Sequence, residues 1–374
     1  MKVEFYRHNL DEADIERVSA VLRSVFLTSG PVCNEFEKKF AAYTGLPHVV
    51  GLSSCSGAMH LALMALGVGP GDEVITTPMT FIATSTVILH LGAKPVYVDV
   101  EPDTGLIDAA AVARAVTPRT KAILPVNLYG AMCDMRALRK IADGHGLVLI
   151  EDNAHCIEAG RDGVRPGDLA HASCYSFYAT KNLTCGEGGA FACHDEGLAV
   201  RVRQLANHGM SKNAAGRYHG KYEHWDMVAE GWKYNLDDVH AAMMVHQLDR
   251  LDALWERKNA IVDRYDAGFA GAPGITRHKV PGKSAHHLYT LWVDPARRDD
   301  VLSELKERGV GAAVNYRAIH TLTYLREALG HKPEDFPEAY RIGLSTITLP
   351  LYPKLTDDEA DYVIETVRDA ARPR

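Results

Sequence analysis

Short apolar runs alternate with amphipathic stretches from residue 46 to about 207. Glu73–Thr77, Pro95–Val100, Ala122–Val126, Leu147–Glu151, Cys174–Phe177 and Ala190–Cys193 are mostly apolar and too short for helices. That pattern predicts strands buried on both faces. The segments between them, such as Asp134–Ala142, and Asp108–Val116 closed by Thr117-Pro118, predict helices. Such alternation specifies an α/β fold, a mainly parallel sheet with helices on both faces. A long helical stretch follows Asp237 and runs through Ala241–Leu254. Beyond about residue 275 the pattern becomes a smaller α+β set: strand His286–Val293, helix Asp299–Arg308, strand Gly311–Asn315 and helix Asp357–Ala371. The expected division is a large unit over 1–250, whose N-terminal segment can pack on the other, and a small C-terminal unit over 251–374.

Three junctions in this pattern carry chemistry. Lys181 stands in Ser176-Phe-Tyr-Ala-Thr-Lys-Asn182, ahead of Gly186-Glu-Gly-Gly189, on the turn between two buried strands. A walled-in lysine loses its proton readily and is then a nucleophile toward an aldehyde. A surface lysine in a polar hairpin has the same local sequence. Leu147-Val-Leu-Ile-Glu-Asp-Asn-Ala-His155 is a strand that ends on Asp152. The carboxyl ends of parallel strands form ligand crevices, and an aspartate there can pair with a protonated pyridine nitrogen. It can equally cap the next helix. His155 can support that Asp, stack on a ring, or be structural. Finally, Gly51-Leu-Ser-Ser-Cys-Ser-Gly-Ala58 precedes the apolar-periodic Met59–Leu66. Ser56 and Gly57 at a helix N-terminus suit a phosphate, as they suit an ordinary N-cap. The stretch His208–Tyr222, rich in Gly, His and basic residues, reads as a surface loop or as an active-site loop touching an anionic substrate.

Composition narrows the class. The chain has 374 residues, 47% hydrophobic and 24% charged, as in a soluble globular enzyme with ample core. Its 41 basic and 48 acidic residues leave a net charge of -7, which is no footprint for nucleic acid. The seven cysteines are scattered and form no Cys-x-x-Cys pair, so neither a metal site nor a disulfide framework is expected. Met1–His8 has no secretory apolar core and no apolar run can span a bilayer, so a cytoplasmic enzyme without a membrane partner is expected.

The three junctions together resemble the fold-type I enzymes that use pyridoxal 5'-phosphate (PLP). More narrowly, the chain resembles the DegT/DnrJ/EryC1/StrS family of sugar aminotransferases. The likeness is carried by Leu27-Thr-Ser-Gly-Pro31, Gly71–Pro78, Thr80-Phe81, Pro95–Val100, Pro118–Val126, Glu151–His155, Ser176–Asn182, Gly186–Gly189 and Gly231–Asp238, in that order. It is most similar to the branch that aminates 4-keto nucleotide sugars.

The resemblance implies roles. Lys181 holds PLP as a Schiff base and moves the proton; Asp152 meets the pyridine nitrogen. Ser176 and the backbone at Ser56-Gly57 take the phosphate, Phe81 stacks on the ring, and His155 supports it. Lys233 or Asn235 reaches the phosphate of the neighbouring subunit, which implies a homodimer with shared active sites. Thr28, Ser29, Tyr316, Arg317 and His320 line the sugar pocket, although Arg317 could equally sit in a buried ion pair. An amino donor, glutamate in the family, converts PLP to pyridoxamine phosphate; a keto sugar, a nucleotide-linked 4-keto-6-deoxy sugar or 4-keto pentose, then takes up the amine. A 3-keto sugar or keto-cyclitol acceptor and a non-catalytic PLP-binding regulator are the alternatives. Relatives that dehydrate a keto sugar at C3 replace the lysine with histidine, and Lys181 stands against that reading.

Overall fold

The computed structural model describes residues 1–211 and 224–373; most of the stretch read as a surface or active-site loop, His208–Tyr222, lies outside them. The chain opens with helices α1 (Glu12–Leu22) and α2 (Pro31–Thr44), then β1 (His48–Leu52), α3 (Cys55–Ala65), β2 (Glu73–Thr76), α4 (Ala83–His90) and β3 (Lys94–Tyr97). There follow α5 (Ala109–Ala115), β4 (Thr120–Ile123), α6 (Met135–His145), β5 (Val148–Asp152), β6 (Ala172–Ser176) and β7 (Gly189–Cys193). Next come α7 (Glu196–Leu205), α8 (Asp238–Asp249), α9 (Leu251–Phe269), β8 (Thr276–Arg277), β9 (Tyr289–Trp292) and α10 (Arg298–Glu307). The last elements are α11 (Thr323–Leu329), α12 (Pro337–Ser345), β10 (Thr346–Leu349) and α13 (Asp357–Ala371).

Seven strands form one sheet in the order β1-β7-β6-β5-β4-β2-β3. β7 runs antiparallel to both its neighbours, and the other pairs are parallel. Side chains alternate between two cores, as the pleat demands. Val50, Val74, Ala122, Ile150 and Phe191 enter one core with α3 and α7. Ile75, Ile123 and Leu149 enter the opposite one with α6, while Val49, Tyr175 and Ala192 meet α2 and α8. Helices therefore cover both faces, as the apolar runs implied. A second, antiparallel sheet, β10-β9-β8, shares a core with α9, α10 and α13. The N-terminal segment joins this second unit, where Val3 bridges Val310.

Two sequence expectations are corrected. The helical stretch after Asp237 breaks at Arg250, whose guanidinium is drawn to Asp11 and to the buried Asp14 of α1. Gly311–Asn315 makes only a single bridge, Ala313 to Thr348 of β10. There Gly311 backs onto the Phe5 main chain so closely that an added Cβ would lie 2.4 Å from the Phe5 nitrogen.

Candidate active site

β5 and β6 are parallel neighbours, with Asp152 opposite Cys174. Asp152 therefore ends β5 on the carboxyl edge, and it is 4% exposed. Its Oδ1 accepts the Ala154 N–H at 3.1 Å and its Oδ2 accepts the Thr84 hydroxyl at 2.9 Å; the Cys55 thiol lies 3.9 Å from Oδ1. All these donors are neutral. Burial pushes the carboxyl's pKa up, while Ala154, Thr84 and the charge on Lys181 oppose it. A buried carboxylate held by neutral donors is poised for a cationic partner.

β6 hands the chain to β7 through a loop rather than a helix, because β7 runs backward. Two glycines shape this loop. Gly186 sits at φ +84°, and Gly189 packs on the Ser54–Cys55 peptide, where a Cβ would lie 2.3 Å from the Ser54 carbonyl carbon. Lys181 is half-buried on the loop, its N–H bonded to the Tyr178 carbonyl and its Nζ 3.2 Å from His287 Nε2. Burial pulls its pKa down to about 8, against the upward pull of Cys55 and Asp152. About a tenth of the group is then free amine at pH 7, far more than for an ordinary lysine.

His155 follows Asp152 and is fully enclosed. Its Nδ1 accepts the N–H of Tyr129, a non-glycine residue held at φ 62° to present it. The proton of the neutral ring therefore sits on Nε2, 3.2 Å from Tyr316 Oη. Burial, then Lys181, drives the His155 pKa well down, so the ring stays uncharged. Tyr316 stacks on His155 at 5.9 Å and also touches Phe81, its ring 5.9 Å away. Phe81 is 54% exposed, outside the core.

The N-terminus of α3 lies against these strands, because Ser176 pairs with Gly189 and Gly189 abuts Ser54. Ser54 is the N-cap and takes the Gly57 N–H on its Oγ at 3.0 Å. Ala58 N–H goes to the Ser54 carbonyl, which leaves the Ser56 N–H and hydroxyl without protein partners among the described residues. Ser176 is half-buried, with only a long 3.4 Å contact from the Tyr178 N–H.

Thr28, Ser29, Lys233 and Asn235 are brought together beside the chain that leads into α3, where Asn235 bridges Leu52 and the Ser53 N–H bonds the Tyr234 carbonyl at 2.7 Å. They line a cavity of about 230 Å³ that shares no lining residue with the small cavity at Lys181. There Asn235 Nδ2 donates to Ser29 Oγ at 2.7 Å, and Lys233 Nζ meets Asn235 Oδ1. Part of this motif is structural. Asp238 accepts the N–H groups of Gly30 at 2.8 Å and Cys33 at 2.9 Å and so caps α2. Arg317 is exposed beside Tyr316 and forms no ion pair among the described residues, contrary to the buried pair its sequence allowed. His320 is not brought to the crevice. The Ile319 N–H bonds the Pro78 carbonyl and turns His320 inward, onto the Pro333 carbonyl at 3.1 Å and the Phe336 ring.

Several residues at the centre carry no local sequence signal. His287 touches Lys181 from the segment before β9, and Thr84 reaches Asp152 from α4. Directly behind Asp152, Glu151 is wholly buried. It accepts hydrogen bonds from Asn127 at 2.9 Å, Asn153 at 3.0 Å and the Gly167 N–H at 3.1 Å, without a cation. Burial outweighs those bonds and lifts its pKa to about 7. A carboxyl raised above its unfolded value favours folding below that value and loses the advantage as pH rises through the folded one. Glu151 therefore costs the fold about 3 kcal/mol between pH 4.5 and 7, on the order of 1.4 kcal/mol per unit. The thermal midpoint of the cofactor-free wild type is expected to fall relative to that of Glu151→Gln across this window. Parallel profiles would show that Glu151 is not raised.

No metal-binding cluster occurs among the described residues, and no helix there is long and apolar enough to cross a membrane. The donors present fit PLP. A lone buried carboxylate stands at a strand end, a helix N-terminus with open serine groups lies beside it, and an exposed ring and a nucleophilic amine face the same edge. Such a set can hold an aldehyde-bearing aromatic anion and move protons next to it.

A model of the DegT/DnrJ/EryC1/StrS aminotransferase family matches residues 8–368. The chain is 42% identical to the spore coat polysaccharide biosynthesis protein SpsC of Bacillus subtilis, over 97% of this chain and 95% of that protein. In structure it resembles the PMP-form of the putative sugar aminotransferase Spr1654 of Streptococcus pneumoniae, with a TM-score of 0.92, 34% identity and 99% of both chains covered. DesI, solved in the presence of its TDP-sugar product, gives a TM-score of 0.88 and 31% identity over 99% of this chain and 93% of its own.

Proposed function

This chain belongs to the DegT/DnrJ/EryC1/StrS aminotransferase family, and from that premise we propose that it moves an amino group from L-glutamate to a nucleotide-linked keto sugar. It is a PLP-dependent sugar aminotransferase. The carrying observation is the pairing of Lys181, a half-buried amine of lowered pKa that feels the charge of Asp152, with that buried carboxylate at the end of β5.

When bound, PLP supplies the electron sink that lets a carbon bearing the amine lose its proton. The rest is this chain's own work. Asp152 stabilises positive charge on the ring nitrogen, and Thr84 and Ala154 fix its oxygens. Ser56 and Ser176 hold the phosphate, and Phe81 covers the ring. His155 stays neutral and orients Tyr316. Lys181 Nζ first binds the cofactor and then, once displaced, moves the proton, with His287 as its hydrogen-bond partner.

The acceptor we assign is a nucleotide-linked 4-keto-6-deoxy sugar or 4-keto pentose. DesI's TDP-sugar supports this class, as does the exposed Arg317 beside Tyr316, which has no ion pair among the described residues and suits a diphosphate. We assign a homodimer in which Lys233 and Asn235, beside Thr28 and Ser29, complete the partner's phosphate site. The exposed Val25, Leu27 and Trp232 support it. We divide the chain into units 1–250 and 251–374, and place it in the cytoplasm, where its free cysteines stay reduced.

An absorbance spectrum before and after L-glutamate tests the reading. A visible band that gives way to a near-ultraviolet band is expected, followed by turnover on a keto-sugar panel. A visible band that no amine alters would favour a regulator, and no band after PLP is added would overturn the site.

A further inference from the structure

Behind Lys181 lies a second enclosed lysine that the reaction does not use. Lys258, in the middle of α9, is 4% exposed. Its Nζ donates to Asn182 Oδ1 at 2.7 Å, its one hydrogen bond among the described residues. Asn182 is the residue next to Lys181, and its amide is fully committed. Its Nδ2 donates to both oxygens of Glu158, each at 3.0 Å, and to the Ala285 carbonyl at 2.6 Å. Glu158 is itself 6% exposed. It lies beyond ion-pair distance of Lys258, so the asparagine stands between the two charges. One small cavity is lined by Lys181, Asn182, Glu158 and Lys258 together.

We propose that Lys258 is a positioning residue for the reaction at Lys181, acting through the Asn182 amide and anchored by Glu158. The geometry gives it two effects. The bond to Asn182 fixes which way that amide faces and so holds the main chain from which Lys181 projects. Its ammonium also shares an enclosed space with the Lys181 amine, and two like charges there disfavour each other. Burial and then Lys181 bring the Lys258 pKa itself down to about 8, against the upward pull of Glu158, and by reciprocity a proton on Lys258 disfavours one on Lys181. The other groups facing Lys181 are Cys55 from α3, Asp152 from β5, His155 and Cys156 after β5, and His287 before β9. Both histidines are held neutral by burial, which leaves Lys258, beside these groups, as the neighbour that can carry a positive charge.

This inference rests on the aminotransferase reading, and its test separates the two. In cofactor-free protein, acetylation of Lys181 by acetic anhydride is followed by mass spectrometry across pH, and the midpoint is read for each variant. For the wild type the midpoint is expected near pH 8. Lys258→Met is expected to raise it by about one unit. Lys258→Arg, which keeps the charge and a donor, is expected to restore most of that shift. Asn182→Ala is expected to raise it less, because it frees Lys258 to approach Glu158, and it decides the matter if Lys258→Met does not fold. Folded variants with the wild-type midpoint would make Lys258 merely structural and overturn the proposal. The visible band of wild type with added PLP is recorded in parallel; its absence would instead overturn the aminotransferase reading.

Discussion

Lys181→Ala is expected to bind PLP without a covalent bond and to lower transamination by at least about a thousandfold. In the proposed reading two functions go at once, since the same Nζ would hold the cofactor and later shuttle the proton. His287, 3.2 Å from that nitrogen, cannot substitute. Its ring is sealed in, and burial keeps its pKa far below the usual value, so it neither reaches outward nor gains a proton readily. The check is borohydride reduction, which fixes cofactor to the wild type and leaves the variant's cofactor removable by dialysis. Retained turnover at the wild-type rate would sink the assignment.

Asp152→Asn is expected to lower kcat by about a hundredfold or more, the scale on which one preorganised electrostatic contact is lost. The amide keeps the volume and can still accept one of the bonds from Ala154 or Thr84. What it removes is a buried negative charge. A second readout needs no turnover. Asp152 pulls the Lys181 pKa upward, so its neutralisation moves the titration midpoint of the cofactor-free lysine below about 8. A midpoint that rises instead, or an unaltered kcat, would show that the two groups do not share a field.

The sheet was legible because its strands are apolar on both faces and each turn at its carboxyl edge has a distinct composition. Lys181, Asp152 and Ser56 could be placed on that edge from their neighbours alone. The misses have one physical character: each depends on a partner distant in the chain. α2 begins at Gly30-Pro31 with no side-chain cap of its own, and Asp238 supplies one from the other end of the large unit. Arg250 stops a helix that local periodicity would continue, because Asp14 pins it. β10, Thr346–Leu349, hides as a polar-looking pair of threonines. Thr346 is nonetheless buried, opposite Trp292 of β9. His287, Asn182 and Lys258 look like ordinary polar residues until three segments converge on Lys181.

The reversed strand β7 has a consequence for how such an enzyme can diversify. A parallel β7 would oblige the chain leaving β6 to cross to the far edge before returning. Running backward, β7 lets residues 177–188 stay on the chemical edge as one closed loop, pinned at Gly189 against α3. That loop has no slack, so lengthening it would lift Lys181 away from Asp152. The connections at the opposite edge, such as Gly69–Asp72 and Gly144–Gly146, have open space around their glycines and lie remote from the lysine. Insertions and new surface attachments can accumulate there while the chemistry stays unchanged.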